Sequence, residues 1–358
     1  MAVQTPARPL RFPVPLLMTA LLGAALLLAG PWALPVAGAD TVRLRPDHPE
    51  RYVVRKGDTL WDIAARFLRD PWKWPDIWHV NPQIRNPHLI YPGDVIVLRW
   101  VGGKPRLELE RGRPEVKLSP RVRVSQTRRP VPTIPAEAIR PFLARTAVAA
   151  PEELAGAGYV VAMEEGRLVG GTGHRVYARA LPRAADGRYR LVRRQRAYRG
   201  PGGEVLGYEV VELAGARLVQ AGDPATLLLT RAFREVLPRD LILPAGAEPP
   251  LPPTFQPAAA PESARGRIVG LFDALSGVGR HQVVALDLGR ADGVEPGHVL
   301  AVYRQGERVR DPRTGERVRL PAQRAGLVMV FRSFDRVSYA LVMDATRALH
   351  RGDRVQAP

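Results

Sequence analysis

The sequence contains no cysteine and few lysines, and its histidines form no recognisable ligand motif. Without cysteine the chain can have no structural disulfide, no thiol nucleophile and no lipid-modified cysteine anchor. The seven histidines lack the H-x-x-x-H or H-x-H spacing that zinc sites use. No G-x-S-x-G or S-x-x-K motif is present, which argues against the common serine hydrolases. We therefore expect no catalytic residue, no metal ligand and no cofactor.

Acidic residues are absent from residues 1–39, where Arg8 and Arg11 precede an apolar run from Leu16 to Leu28. Small residues at 37–39 then form an Ala-Gly-Ala cleavage pattern before Asp40. This arrangement predicts a signal peptide at 1–39 and an exported, periplasmic or envelope protein. The alternative is an uncleaved membrane anchor, because residues 12–39 carry no charge and could span a bilayer.

The formal net charge is +18, and 49 of the 53 basic residues are arginines. Basic character of this size is common in nucleic-acid-binding proteins. An exported chain does not meet DNA, so we expect no nucleic-acid partner. Anionic wall carboxylates and lipid headgroups are the expected alternatives, and salt should weaken the attraction to them.

Residues 51–99 have the pattern of a small βααβ module. Tyr52-Val53-Val54 and Val95–Leu98 alternate like strands, and the spacing of five apolar residues from Leu60 to Leu68 predicts a helix. Thr59 followed by Asp62 approximates a capping box at the start of that helix. Pro75 is expected to open a second helix that buries Trp74, Ile77 and Trp78. Trp72 is the best candidate for an exposed platform on which a sugar ring could stack.

The order and spacing of several motifs in this module carry a family resemblance. They are Tyr52-x-Val54-x-x-Gly57-Asp58-Thr59-Leu60-Trp61-x-Ile63-Ala64, Asn81-Pro82, and Asn86-Pro87-x-Leu89-Ile90-Tyr91-Pro92-Gly93. In this respect the chain resembles the LysM domain, which recognises N-acetylglucosamine-containing glycans. It also resembles the Gram-negative family of exported proteins with a single LysM domain.

The resemblance implies a shallow glycan groove between the first strand–helix loop and the loop after the second helix. The implied contacts are Gly57, Asp58, Thr59 and Leu60 in the first loop and Ile84, Arg85, Asn86, His88, Leu89 and Ile90 in the second. Backbone groups could bind the acetamido group while apolar side chains contact its methyl. Asp58 could instead cap the first helix, and Leu60 could instead pack in the core. For each of these two residues the sequence leaves the structural role and the glycan contact open.

The sequence after the module predicts two β-rich domains, each a barrel or a sandwich. The protein as a whole is therefore expected to be of the α+β class. Residues 100–158 form a basic connector, since 104–145 contain 11 basic residues against four glutamates. Residues 159–244 and 265–358 have similar orders of strands and Pro/Gly turns, which indicates a duplicated unit. Residues 245–264 contain six prolines between the copies and predict an exposed linker.

The second β-rich domain resembles the C-terminal β-domain of flagellar assembly protein T, through Gly266-x-Ile268, Gly293-Val294-x-Pro296-Gly297 and Gly352-Asp353-x-Val355. That resemblance implies an envelope β-barrel without a catalytic motif.

We expect a non-enzymatic protein that binds peptidoglycan strands, contacts another envelope protein and touches the membrane surface through the connector. The alternative is a wall hydrolase or its regulator. The observation in favour of a hydrolase is the carboxylate pair Glu164-Glu165, because glycosidases use two carboxylates.

If residues 1–39 are a signal peptide, the mature chain should begin at Asp40. N-terminal sequencing of the protein from the envelope fraction measures this directly. A chain that keeps its first residues and stays with the membrane would instead identify an uncleaved anchor.

Overall fold

The computed structural model describes residues 42–78, 90–110, 132–246, 255–272 and 274–358. Residues 42–358 form one compact unit. The predicted signal segment lies outside the described residues. Within the described ranges, no helix combines the length and apolar character needed to cross a bilayer.

The N-terminal module contains three strands and two helices. They are β1 (Arg51–Val53), α1 (Leu60–Phe67), α2 (Trp74–Ile77), β2 (Val95–Val101) and β3 (Lys104–Glu110). The sheet order is β1-β2-β3, and all pairs are antiparallel. The predicted βααβ order is therefore present. The start of the predicted connector belongs to this sheet, because β3 pairs with β2 along its whole length.

The next segment of the described chain contains the first β-rich region. Its elements are α3 (Ala136–Ala144), β4 (Thr146–Ala149), α4 (Pro151–Ala155), β5 (Gly158–Met163), β6 (Arg175–Arg179), β7 (Arg188–Arg199), β8 (Val205–Gln220), β9 (Ala225–Ala232) and β10 (Leu241–Pro244). Six strands close a ring in the order β5-β6-β9-β8-β7-β10 and back to β5, while β4 pairs with β8 outside the ring. We call this ring barrel 1. The connector's β4 is thus part of the barrel sheet rather than a free spacer.

The second β-rich region follows with nine strands. They are β11 (Ala258–Ala259), β12 (Arg265–Leu271), β13 (Val283–Leu286), β14 (His298–Arg304), β15 (Arg308–Arg310), β16 (Arg317–Arg319), β17 (Gln323–Ser333), β18 (Ser338–Ala345) and β19 (Arg354–Gln356). The ring runs β12-β13-β18-β17-β14-β19 and back to β12, and we call it barrel 2. Strands β15 and β16 form a separate two-stranded sheet.

The two barrels have the same topology. In each, the ring joins the first, second, fifth, fourth, third and sixth strands in that order, and every neighbouring pair is antiparallel. Identical ring order in two consecutive units supports the duplication that the sequence pattern indicates.

A matching corner before the last strand of each barrel strengthens this equivalence. Asp240 accepts the Leu237 N–H at 2.6 Å, and Asp353 accepts the His350 N–H at 2.7 Å. The residue before each aspartate has a positive φ, 74° at Arg239 and 93° at Gly352. Both aspartates are buried, and each satisfies a backbone N–H group of its own turn.

The Pro-rich segment differs from the predicted exposed linker in its described part, 255–264. Phe255, Ala260 and Ala264 are buried, and β11 pairs in parallel with β14. Apolar residues among the prolines allow this segment to pack on barrel 2, which composition alone does not reveal. Residues 247–254 lie outside the described residues.

The outer face of barrel 2 is buried along four of its six strands. Strands β13, β14, β17 and β18 therefore have nearly continuous apolar sequences. One shared cluster contains outer-face residues of barrel 2, Val192 and Tyr198 of barrel 1, Phe142 of α3 and Trp61 of the module. The module and both barrels are consequently packed together.

Replacing Phe142 by alanine should reduce the free energy of unfolding by about 3–5 kcal/mol, because its ring makes edge contacts with Phe272, Phe331 and Tyr339. Denaturant unfolding measures the loss. Leu275→Ala is the matched control, since that side chain is fully exposed and its removal should change stability by less than about 0.5 kcal/mol. Equal effects of the two changes would contradict the packed arrangement.

Candidate functional site

The first loop of the predicted groove turns sharply at Gly57, whose φ is +97°. This left-handed conformation favours glycine, because a side chain would strain the backbone there. Asp58 then accepts two hydrogen bonds at 2.8 Å, from the Tyr52 hydroxyl and from the Arg55 N–H. Burial, and then the hydrogen bond to Asp58, raise the pKa of Tyr52. The Asp58 carboxylate thus stabilises the loop itself. Of the four contacts predicted in this loop, Gly57 is the exposed one.

Helix α1 begins with a complete capping box. The Thr59 hydroxyl accepts the Asp62 N–H at 3.1 Å, and the Asp62 carboxylate accepts the Thr59 N–H at 3.2 Å. Thr59 is only 4% exposed and Leu60 is buried in the module core. Of the two roles that the sequence leaves open for Leu60, the structure shows the core position.

A segment from the connector covers the start of α1. Its residues Pro132, Thr133 and Ile134, which we call the docking segment, lie beside the first helical turn. The Leu60 N–H donates to the Pro132 carbonyl at 3.0 Å, and the Trp61 N–H donates to the Thr133 carbonyl at 3.3 Å. Ile134 is buried in the same cluster as Trp61. The backbone N–H groups in the first turn of a helix have no hydrogen-bond acceptor within that helix. For Leu60 and Trp61 of α1, the carbonyl groups of the docking segment are the acceptors.

The second loop of the predicted groove is described only at its end. Ile84, Arg85, Asn86, His88 and Leu89 lie outside the described residues. Ile90 is buried in the module core, so its side chain packs inward rather than facing a groove. Val54 and the 93–94 turn exchange two backbone hydrogen bonds at 2.8 Å, which hold the end of this loop beside the first.

Trp72 is not an exposed platform, contrary to expectation. It is 9% exposed and belongs to the cluster that joins the module to the barrels, because the turn at Pro71–Lys73 directs it inward. Trp74 and Ile77 are buried as predicted, and Trp78 is half-buried in edge contact with Trp74. Trp100, at the end of β2, is 62% exposed, and the predicted site did not include it.

The docking segment is the feature that sequence reasoning missed. Pro132 and the flanking prolines at 130 and 135 suggest an extended chain, and an extended chain leaves carbonyl groups available as acceptors. Nothing in the local pattern indicates that those acceptors meet α1, which lies some seventy positions earlier in the sequence.

A second contact holds α1 against barrel 2. The Arg280 guanidinium pairs with Asp62, and its Nε donates to the Met343 carbonyl at 3.0 Å. Asp62 therefore serves both the capping box and this ion pair. Burial, together with the neighbouring Arg280 charge, lowers the pKa of His281.

The carboxylate pair that could support a hydrolase is engaged in ion pairs. Glu164 lies 3.1 Å from Arg175, and Glu165 lies 3.0 Å from Arg167. Neither glutamate is buried, so the pair lacks the apolar surroundings that tune a general acid. In the described part of the chain, no group of three or more histidine or acidic side chains could hold a metal ion.

Comparison with known proteins identifies the N-terminal module. The chain is 45% identical over 65 residues to the uncharacterized protein YqbP of Bacillus subtilis, and the match covers 15% of this chain and 30% of that protein. The matches say nothing of flagellar assembly protein T, so that resemblance stays a prediction. A family model described as the LysM domain matches residues 52–99, which contain α1, α2 and most of β1 and β2. Residues 52–99 are a LysM domain, a module that binds glycans.

Proposed function

We propose that the LysM domain binds N-acetylglucosamine-containing strands of peptidoglycan and thereby holds the two barrels at the cell wall without catalysing a reaction. The observation that carries this proposal is the match of residues 52–99 to the LysM family. The groove would lie between the Gly57–Leu60 loop and the 84–90 loop. The barrels would contact another envelope protein.

The burial of Thr59, Leu60 and Ile90 narrows the set of side chains that can touch a sugar directly. Exposed Gly57 and the polar residues Arg85, Asn86 and His88 are the stronger contact candidates. A shallow sugar groove rarely exceeds micromolar affinity, about −8 kcal/mol, so a few contacts should account for most of the binding.

We further propose that the docking segment regulates access to the groove. The Leu60 and Trp61 N–H groups are the donors that a sugar acetamido oxygen would use at the start of α1. Both already donate to Pro132 and Thr133. A glycan could bind these donors only after the docking segment has moved, and its apparent affinity would fall with the fraction of molecules in which the segment is displaced.

Arg85→Ala with His88→Ala should reduce retention of the full chain on purified, lipid-free sacculi by about tenfold, the effect of losing roughly 1.4 kcal/mol. Co-sedimentation measures retention, and a chitooligosaccharide should compete. Arg69→Ala with His48→Ala is the matched control, because it removes the same residue types elsewhere in the described module. Raised salt should weaken retention only modestly, since most glycan contacts are neutral. Complete release by salt alone would instead identify net charge as the anchor.

Ile134→Ala should loosen the docking segment and increase the affinity for a chitooligosaccharide about tenfold, because the truncation removes buried contacts that hold the segment on α1. Calorimetric titration measures affinity, and hydrogen exchange at Leu60 and Trp61 reports the opening. Exchange should accelerate in this variant and slow again when the sugar is added.

Ile134→Val is the conservative control, and it should change both measurements little. Faster exchange with weaker glycan binding would contradict regulation by the docking segment, because it would mean that the segment builds the groove instead of covering it.

A further inference from the structure

A hairpin that extends from barrel 2 carries a concentrated positive charge. It connects β14 to β17 and contains β15 and β16, whose two-stranded sheet is separate from the barrel ring. Residues 305–322, between those two strands, include five arginines and three acidic residues, a formal charge of +2. We call this element the arginine hairpin.

Four of these arginines lie on one face of the hairpin. Arg308 is directly opposite Arg319, and Arg310 is directly opposite Arg317. Because side chains alternate along a strand, all four share a face, while Val309 and Val318 share the other. Neighbouring positions on that face are about 5 Å apart across the strands and about 7 Å apart along them.

This arrangement places like charges where opposite charges would stabilise the sheet. Like-charged residues directly opposite each other on antiparallel strands destabilise the pair. All four arginines are exposed, and the Arg310 Nε donates to the Gly315 carbonyl at 3.0 Å. Across the ranges that the structure describes, Arg308, Arg317 and Arg319 form no ion pair.

Asp311, the acidic residue next to Arg310, forms its hydrogen bonds with the turn rather than with this face. Asp311 lies in the hairpin turn, where it accepts the N–H groups of Arg313 and Thr314 at 2.7 and 3.1 Å. These backbone hydrogen bonds lower the pKa of Asp311, so it stays ionised within the turn. Some arginines elsewhere are paired, as Arg193 is with Asp240 and Arg196 with Glu209.

We propose that the arginine hairpin docks on a membrane surface that presents anionic phospholipid headgroups. Guanidinium groups bind phosphate through two parallel hydrogen bonds, and several arginines on one face can engage several phosphates of a planar leaflet together. LysM domains usually occur in exported or envelope proteins. A bilayer surface is therefore an accessible polyanion for this chain, whereas nucleic acid is not.

This proposal does not depend on glycan binding, because barrel 2 carries the hairpin and the LysM domain carries the groove. It also differs from the membrane contact expected of the basic connector. The described parts of that connector, 100–110 and 132–158, contribute β3, α3, β4 and α4 to the packed unit.

The test compares binding of the full chain to vesicles of phosphatidylcholine alone and to vesicles that also contain phosphatidylglycerol. Arg317→Gln with Arg319→Gln removes the cations of one strand and also removes both like-charge pairs, so folding should be unharmed. Each arginine near an anionic surface contributes about fivefold to binding. Partitioning onto the anionic vesicles should therefore fall about 25-fold, and the weak binding to neutral vesicles should not change.

Arg167→Gln with Arg175→Gln is the matched control, because it removes the same charge from barrel 1, in the loop after β5 and at the start of β6. This control should change vesicle binding by less than about twofold relative to the parent chain. That change is smaller than the effect expected of a single arginine near the surface. An equal fall in both variants would show a general effect of net charge and would overturn the proposal.

Two other results would also overturn it. Unchanged vesicle binding by the hairpin variant would show that the hairpin does not touch the bilayer. Arginine-dependent binding to lipid-free sacculi, without binding to anionic vesicles, would identify wall carboxylates as the true partner.

Discussion

The buried aromatic contacts around Tyr339 hold the rest of the structure together. The Tyr339 ring lies 5.1 Å from the rings of Phe272 and Phe334 and 6.3 Å from that of Tyr198, so residues of both barrels meet there. Gly270 permits this approach, because a Cβ at that position would lie 2.8 Å from the Tyr198 ring. Separating the barrels would expose these rings to water, at a cost of about 25 cal/mol for each Å² of apolar area. The module, packed on the same cluster, is therefore held in a fixed orientation.

Several polar groups within this interface are paired, so the contact between the barrels is not purely apolar. Glu209 accepts hydrogen bonds of 2.6 Å from both Tyr198 and Arg196. Arg332 donates to the carbonyls of Phe142 and Thr146 at 2.9 and 2.5 Å. Burial raises the pKa of Tyr198 far above its usual value, so its hydroxyl remains a donor. Buried groups of this kind cost free energy when a partner is lost, so they favour one relative placement of the barrels over others.

Local chemistry explains which features the sequence could predict. The Thr59–Asp62 box and the apolar spacing of α1 depend on neighbours within one or two turns, and both occur as predicted. The repeated strand order also revealed two β-rich units. The alternation of apolar residues does not indicate which strands pair, however. The order of the strands around each ring therefore could not be predicted from the sequence. The burial of Trp72, Phe255, Ala260 and Ala264 likewise depends on surfaces supplied by distant parts of the chain.

The docking segment links the proposed glycan groove to the packing of the barrels. Ile134 and Phe142 belong to one buried cluster, and only the first turns of α3 separate them in the chain. A glycan that displaced the docking segment would thus disturb α3 and, through Phe142, the contacts between barrels. Coupling between two sites is reciprocal, so any partner that tightened the packing of α3 would weaken glycan binding by the same factor. A flexible tether would transmit no such effect. In the function proposed here, the LysM domain would therefore report the state of the barrels as well as anchor them.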